Sequence, residues 1–421
     1  MQLCLALYCL LAPVSVPAHL PAIYGKVFVR SKQSVAPQPA KDNTPCDHTH
    51  GDDGPDEYRQ QIELREKSGG PYEDDLAQPL SRMGQYHKDQ CRYKLAAAYL
   101  EHALHVVRVN EGLHTEGQIP LIRDLLDTYR LMGDQQALDD TYKKLFRVHG
   151  SGQPPHTDER KAATLEFLRW QREAFALGFE NDRLQRLVSL CQLNRRLIED
   201  LRLQANTNPA WHRELVASQL RNLYLVMGQG PFAAKFLGGT ESSEGQSSHA
   251  NSQTYVKQQF ANIQSTAIAR GRRLMEELLE QPSGFNVVQR AELHLKLGDW
   301  LQWNGQERRA TREYKKVVDI LQEADKGRLL EQWLGEPAEL PAEDVFEINP
   351  NLLGPVLVTA SYNVSKSGQV RSIDVSVEPP DNIAISRRIR RWLTGAHFRP
   401  RFSQGFAEPV ERLTRTYQMV R

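Results

Sequence analysis

LGDWLQWNGQERRATREYKKVV, residues 297–318, decides how this chain is read. Leu297, Leu301 and then Ala310, Tyr314 and Val317 recur at three- and four-residue spacing, which is the period of a helix face. Gly305 interrupts the pattern, so the stretch predicts two helices with a tight turn between them. The small residues Gly298 and Ala310 fall where the two helices cross. Tyr314 and Val317 fall where the pair faces its neighbour.

Two further windows fit the same template. Leu80, Met83, Gly84, Ala96, Leu100 and Ala103 form one; Leu125, Tyr129, Gly133, Leu138, Tyr142 and Leu145 form the other. Cys91 stands in the first where the turn glycine is expected, and Leu138 in the second where Ala310 stands in the third. Helical periodicity runs from Tyr72 to Gln332. Leu184, Leu187, Cys191, Ile198 and Leu201 make one apolar stripe, and Leu215, Leu220, Leu223 and Met227 another; such stripes mean core. Residues 236–253 (FLGGTESSEGQSSHANSQ) are rich in Gly and Ser and predict a loop. Leu-Gly in a first helix, Gly at the turn, then Ala and an aromatic in the second resemble the tetratricopeptide repeat. That resemblance implies an all-α helical repeat array over residues 72–332.

After Trp333 the texture changes. Residues 333–351 are acidic and Pro-rich (GEPAELPAEDVFEINP over 335–350) and predict a linker with few contacts across it, so that two units fold separately. From Val356 the period drops to two. Val356, Val358, Ala360, Tyr362 and Val364 alternate, Ser365-Lys366-Ser367-Gly368 turns, and Val370, Ile373, Val375 and Val377 follow, predicting a hairpin. Asp381 opens a short helix with Ile385, Ile389 and Trp392 on one side and Arg387, Arg388, Arg390 and Arg391 around the rest. A last strand over Val410–Val420 completes a small β-β-α-β, α+β unit at 352–421. This unit holds 11 Lys and Arg against 5 Asp and Glu.

Tyr362-x-Val364, Ser367-Gly368-x-Val370, the helix with Trp392, Phe398-Arg399-Pro400, Gly405, Pro409-Val410 and Tyr417 resemble, in that order, the TonB carboxy-terminal domain family. The resemblance implies a small periplasmic domain that binds proteins by adding a strand to its sheet. An exposed edge offers unpaired amides and carbonyls for that purpose. The last strand is the expected edge, so partner contact is placed at Arg412, Thr414, Arg415, Thr416 and Tyr417, with the two arginines as flanking charges.

The amino terminus supplies the compartment. Met1–Ala18 is uncharged and largely apolar through Ala12, too short to span a bilayer, and ends in small residues, so it resembles a secretory signal peptide. Residues 19–71 read as a flexible linker. Within it Cys46, His48, His50, Asp52 and Asp53 are metal-ligand types, but no second ligand pair of zinc-site spacing follows. Outside the signal remain Cys46, Cys91 and Cys191, which allow one disulfide and a free thiol.

The 421 residues carry 53 Lys and Arg against 52 Asp and Glu, a net charge of +1, with 40% hydrophobic residues. This composition excludes a disordered, collagenous or multi-span membrane protein and gives no global pull toward nucleic acid. No G-x-S-x-G, H-E-x-x-H, P-loop or dinucleotide fingerprint occurs. His102 and His105 share a helix face but have no third ligand. The expectation is a non-enzymatic scaffold in a bacterial envelope, without cofactor or metal. Its partners are envelope proteins, outer-membrane proteins among them, and it has no nucleic-acid partner and no stable membrane span. The alternative is a TonB-type energy transducer whose anchor precedes Met1. Amino-terminal sequencing of protein recovered from the periplasm is expected to begin near His19; Met1 retained on cytoplasmic protein contradicts the export signal.

Overall fold

The computed structural model describes residues 28–30, 56–178, 183–204, 208–229, 247–280, 285–342, 353–378 and 382–420. The signal-like segment, the Cys46–Asp53 group and residues 343–352 lie outside them. Helices dominate up to Leu334. They are α1 (Asp56–Gly69), α2 (Ala77–Asp89), α3 (Tyr93–Glu111), α4 (Ile119–Met132), α5 (Gln135–Val148), α6 (Asp158–Leu177) and α7 (Arg183–Arg202). There follow α8 (Pro209–Gly228), α9 (Ser247–Leu279), α10 (Val287–Trp303), α11 (Glu307–Glu323) and α12 (Gly327–Leu334). Successive helices pack on one another along the chain.

One device recurs at the helix ends. Cys91, Gly133, Gly305 and Asp325 all adopt left-handed φ, at 57°, 69°, 72° and 54°. In each case the next amide reaches back to a carbonyl five residues earlier: Arg92 to His87 at 2.8 Å, Asp134 to Tyr129 at 3.1 Å, Gln306 to Leu301 at 2.8 Å and Lys326 to Leu321 at 2.8 Å. These are Schellman stops, which satisfy carbonyls that a helix end leaves without partners and turn the chain sharply. Cys91 thus has the backbone conformation of the glycines at 133 and 305. It is also disulfide-bonded, whereas Cys191 is a buried free thiol.

Small residues set the helix crossings. A Cβ at Gly298 would stand 2.5 Å from the Tyr314 ring, and one at Gly84 would stand 2.6 Å from Leu100. Ala96, Ala103 and Ala310 are fully buried at the same junctions. The apolar stripes form two cores, one centred on α2–α5 and the other on α7–α11.

A buried carboxylate joins them. Asp139 on α5 accepts from Trp170 Nε1 of α6 at 2.7 Å, from both terminal nitrogens of Arg186 on α7 at 3.0 Å, and pairs with Lys143 at 2.7 Å. Burial raises its pKa, but the hydrogen bonds from Arg186, Lys143 and Trp170 outweigh that and hold it below the usual carboxylate range.

The carboxy-terminal unit is α+β. Its sheet has the order β1-β8-β3-β4, formed by β1 (Phe28–Arg30), β8 (Val410–Val420), β3 (Leu353–Val364) and β4 (Val370–Glu378). Two-residue alternation turns Val358, Ala360, Tyr362 and Val364 inward against Ile385, Ile389 and Leu393 of α13 (Ile383–Gly395). A short β2 (Ala338–Leu340) pairs with β5 (His397–Arg399), and β6 (Arg401–Ser403) pairs with β7 (Phe406–Glu408).

Three expectations change. The 19–71 segment contains β1 and α1, because Phe28 and Ile62 each find a core to enter. Helix α9 begins at Ser247, inside the stretch expected to be a loop. The 333–351 segment contains the end of α12 and strand β2, and the units on either side of it are in contact. Arg399 on β5 donates from Nε to Asp299 Oδ1 at 2.8 Å and from a terminal nitrogen to Asp299 Oδ2 at 2.6 Å, reaching α10. A third bond goes to the Trp333 carbonyl at 2.8 Å, and Tyr314 adds its hydroxyl to Asp299 at 2.9 Å. Phe402 enters the helical core edge-on to Tyr314 at 5.4 Å. Gln302 donates to the Ser367 carbonyl at 2.7 Å, so the hairpin turn is fastened too. The Pro- and Glu-rich texture of residues 335–350 reports on the connection alone, whereas the interface is made by side chains distant in sequence.

Both buried carboxylates generate predictions. Replacing Asp299 with Ala leaves a buried guanidinium without its counter-ion and should lower urea-unfolding stability by about 3–5 kcal/mol, with Asp299→Leu/Arg399→Met losing less. Asp139 contributes stability that is complete above its unfolded pKa and is lost as pH falls through the lower folded value. Asp139→Asn should therefore destabilise most at neutral pH, and its deficit relative to the parent should shrink in acid. A deficit independent of pH contradicts the role of the carboxylate.

Candidate protein-binding surface

The residues expected to meet a partner divide between the two faces of β8. Antiparallel pairing with β3 sets Thr414 opposite Ser361, Arg415 opposite Ala360, Thr416 opposite Thr359 and Tyr417 opposite Val358. A bulge at Arg412, whose φ is 52° and whose amide donates to Asn363 Oδ1 at 2.9 Å, fixes the parity of the strand that follows. Thr414 is exposed and Thr416 half-buried; their hydroxyls lie 3.3 Å from those of Ser361 and Thr359. Arg412 is exposed as well.

Arg415 and Tyr417 face the other way. Period two places them on the inner face with Leu413, so Arg415 is not a flanking charge at the edge but a buried one. It donates to the Pro337 carbonyl, lies 3.7 Å from Glu336, and stands over the Phe398 ring at 6.0 Å. Its Nε is buried without a hydrogen-bond partner. The Tyr417 and Tyr362 hydroxyls share a hydrogen bond of 2.6 Å, and burial raises the pKa of both phenols.

The edge itself is half covered. β1 pairs with Met419, Gln418 and Tyr417, so β8 is an interior strand over its last residues. From Val410 to Thr416 no described strand pairs with its outer side. The other sheet edge is β4, where Arg371, Asp374 and Glu378 are exposed and Arg390 of α13 donates to the Ile373 carbonyl. Charges on an edge discourage unspecific pairing. The β8 stretch carries the exposed Glu411 and Arg412 at its start and then the uncharged Thr414 and Thr416.

Beside this edge, where the sheet unit meets the array, lies a cleft of about 600 Å³. Tyr224 of α8, Trp300 of α10 and Trp333 of α12 give it aromatic walls. Arg30, Arg221, Lys296, Arg399 and Arg415 outnumber Glu292, Asp299 and Glu339 around it. Asp299 is held by Arg399, and Glu292 lies 2.5 Å from Lys296. The balance is cationic, and chemically such a lining suits an acidic or carboxylate-bearing group next to apolar side chains.

Elsewhere, His102 Nε2 donates to the Pro71 carbonyl at 3.2 Å, and His105 stands edge-on to Tyr72. Both close the start of the array. Among the described residues no helix is long and apolar enough to cross a membrane. Two contributors escaped the sequence reading. Alternation in Lys26-Val27-Phe28-Val29-Arg30 is a strand signal, but it sits in polar, Pro-rich surroundings that suggested a linker. Asp299 and Arg399 carried no signal at all, because each sits inside a motif read for its neighbours. No family model matches the chain, and no curated protein matches it.

Proposed function

We propose that this chain is a non-enzymatic scaffold of a bacterial envelope, exported to the periplasm, which holds other proteins through a tetratricopeptide-type array and a TonB-like carboxy-terminal domain. The observation that carries the reading is the outer side of β8 from Val410 to Thr416, a run of strand backbone with no described strand beside it and uncharged threonines on its open face. An extended segment of a partner can continue the sheet there through main-chain hydrogen bonds.

Further support comes from both ends of the chain. Repeated left-handed stops and Gly or Ala crossings are what stacked helix pairs of the tetratricopeptide kind require. The disulfide at Cys91 suits an oxidising compartment. The fastening of sheet to array through Arg399 keeps the edge at a fixed place relative to the helices, so that one partner can touch both.

A photo-crosslinking side chain placed at Thr414 in living cells tests this. Adducts with envelope proteins are expected from Thr414 and not from Asp374, which is exposed on the charged opposite edge at β4. Adducts absent from Thr414, or identical at both positions, contradict partner binding at the edge.

A further inference from the structure

The edge open to a partner already carries a strand of this chain. β1 runs antiparallel along β8, with Phe28 opposite Met419, Val29 opposite Gln418 and Arg30 opposite Tyr417. Three residues of pairing are little for a strand to hold by. What anchors β1 is the Phe28 side chain, which is fully buried. Its ring lies 5.5 Å from that of Trp392 on α13, and Trp392 in turn stands edge-on to Tyr417 at 5.3 Å. α13 and β8 therefore build an aromatic socket, and the residue filling it arrives from a part of the chain joined to α1 through residues 31–55.

Resting on the scaffold reading, we propose that this socket and the outer side of β8 form a strand-exchange site, in which β1 is the resident occupant and the partner is an extended segment with an aromatic residue near its amino-terminal end. In the antiparallel sense the aromatic sits opposite Met419, and the residues after it run past Tyr417 along the stretch from Thr416 to Val410. The described residues of β1, 28–30, pair only with residues 417–419. An incoming strand long enough to reach Val410 gains more backbone pairs than the three described for β1. β1 has the opposite advantage, a tether that holds it at an effective concentration of order millimolar. Selectivity follows from the contest: a segment without the aromatic, or too short to pass Thr416, cannot displace β1.

The chain's own strand is the probe. A fluorescein-labelled peptide KVFVRSKQS, matching Lys26–Ser34, is titrated by anisotropy into the full chain and into its Phe28→Ala variant. Removal of the resident anchor should tighten probe binding by at least about ten-fold, and the peptide with Ala in place of Phe should bind neither chain. Equal affinity of the two chains, or equal binding of the Phe-less peptide, overturns the proposal. Should Phe28→Ala lose its near-ultraviolet circular dichroism, a second variant decides. Val29→Cys with Gln418→Cys locks β1 in place when oxidised, so probe binding should fall on oxidation and return on reduction; binding indifferent to the lock overturns the proposal as well. None of these measurements needs an envelope partner. Exchange seen in vitro without adducts at Thr414 in cells defeats the scaffold reading alone, and adducts without exchange defeat this one.

Discussion

Arg399 and Asp299 hold the two halves of the molecule together. A guanidinium fork against a carboxylate, both nearly excluded from water, requires both groups in place with their remaining polar atoms satisfied. Tyr314 and the Trp333 carbonyl do that here. The consequence reaches beyond the pair. β5 is fixed against α10 and Phe402 is carried into the helical core. Gly368 presses its turn so closely on Phe398 that a Cβ would lie 2.0 Å from that carbonyl oxygen. The cleft between Tyr224, Trp300 and Trp333 is the space left over once those contacts are made. A sheet unit swinging on a linker would have neither the cleft nor a constant position for its edge.

Local pattern made the helices and the hairpin legible, and it failed where structure depended on distant partners. Leu297 to Val317 predicts a helix pair because period and turn residue lie within one short window. Cys91 is the informative exception. Nothing about a cysteine announces a left-handed backbone, yet the neighbouring spacing demanded a stop there, and the residue has one. The order of strands around the helix with Trp392 was legible for the same local reason.

Faces and edges were less accessible. An arginine in a closing strand is ordinarily turned to solvent, so the sequence alone points to Arg415 as a flanking charge. The bulge at Arg412 sets which residues point inward, and a register shift of one position exchanges the faces of everything after it. Whether β8 lay at the edge depended on a three-residue strand from the opposite end of the chain. Phe28 enters the core in spite of its setting, because an aromatic ring buried beside Trp392 loses far more water contact than three residues of loop could.

The pairing of residues 28–30 with 417–419 also orders events in time. Contacts between residues so distant in sequence have a long loop to close and are made late. Synthesis delivers Phe28 long before Met419. Until then the phenylalanine strand has no sheet to join, the socket by Trp392 does not exist, and only the helical array has what it needs to fold as it emerges. Completion of the sheet thus waits on the arrival of β8.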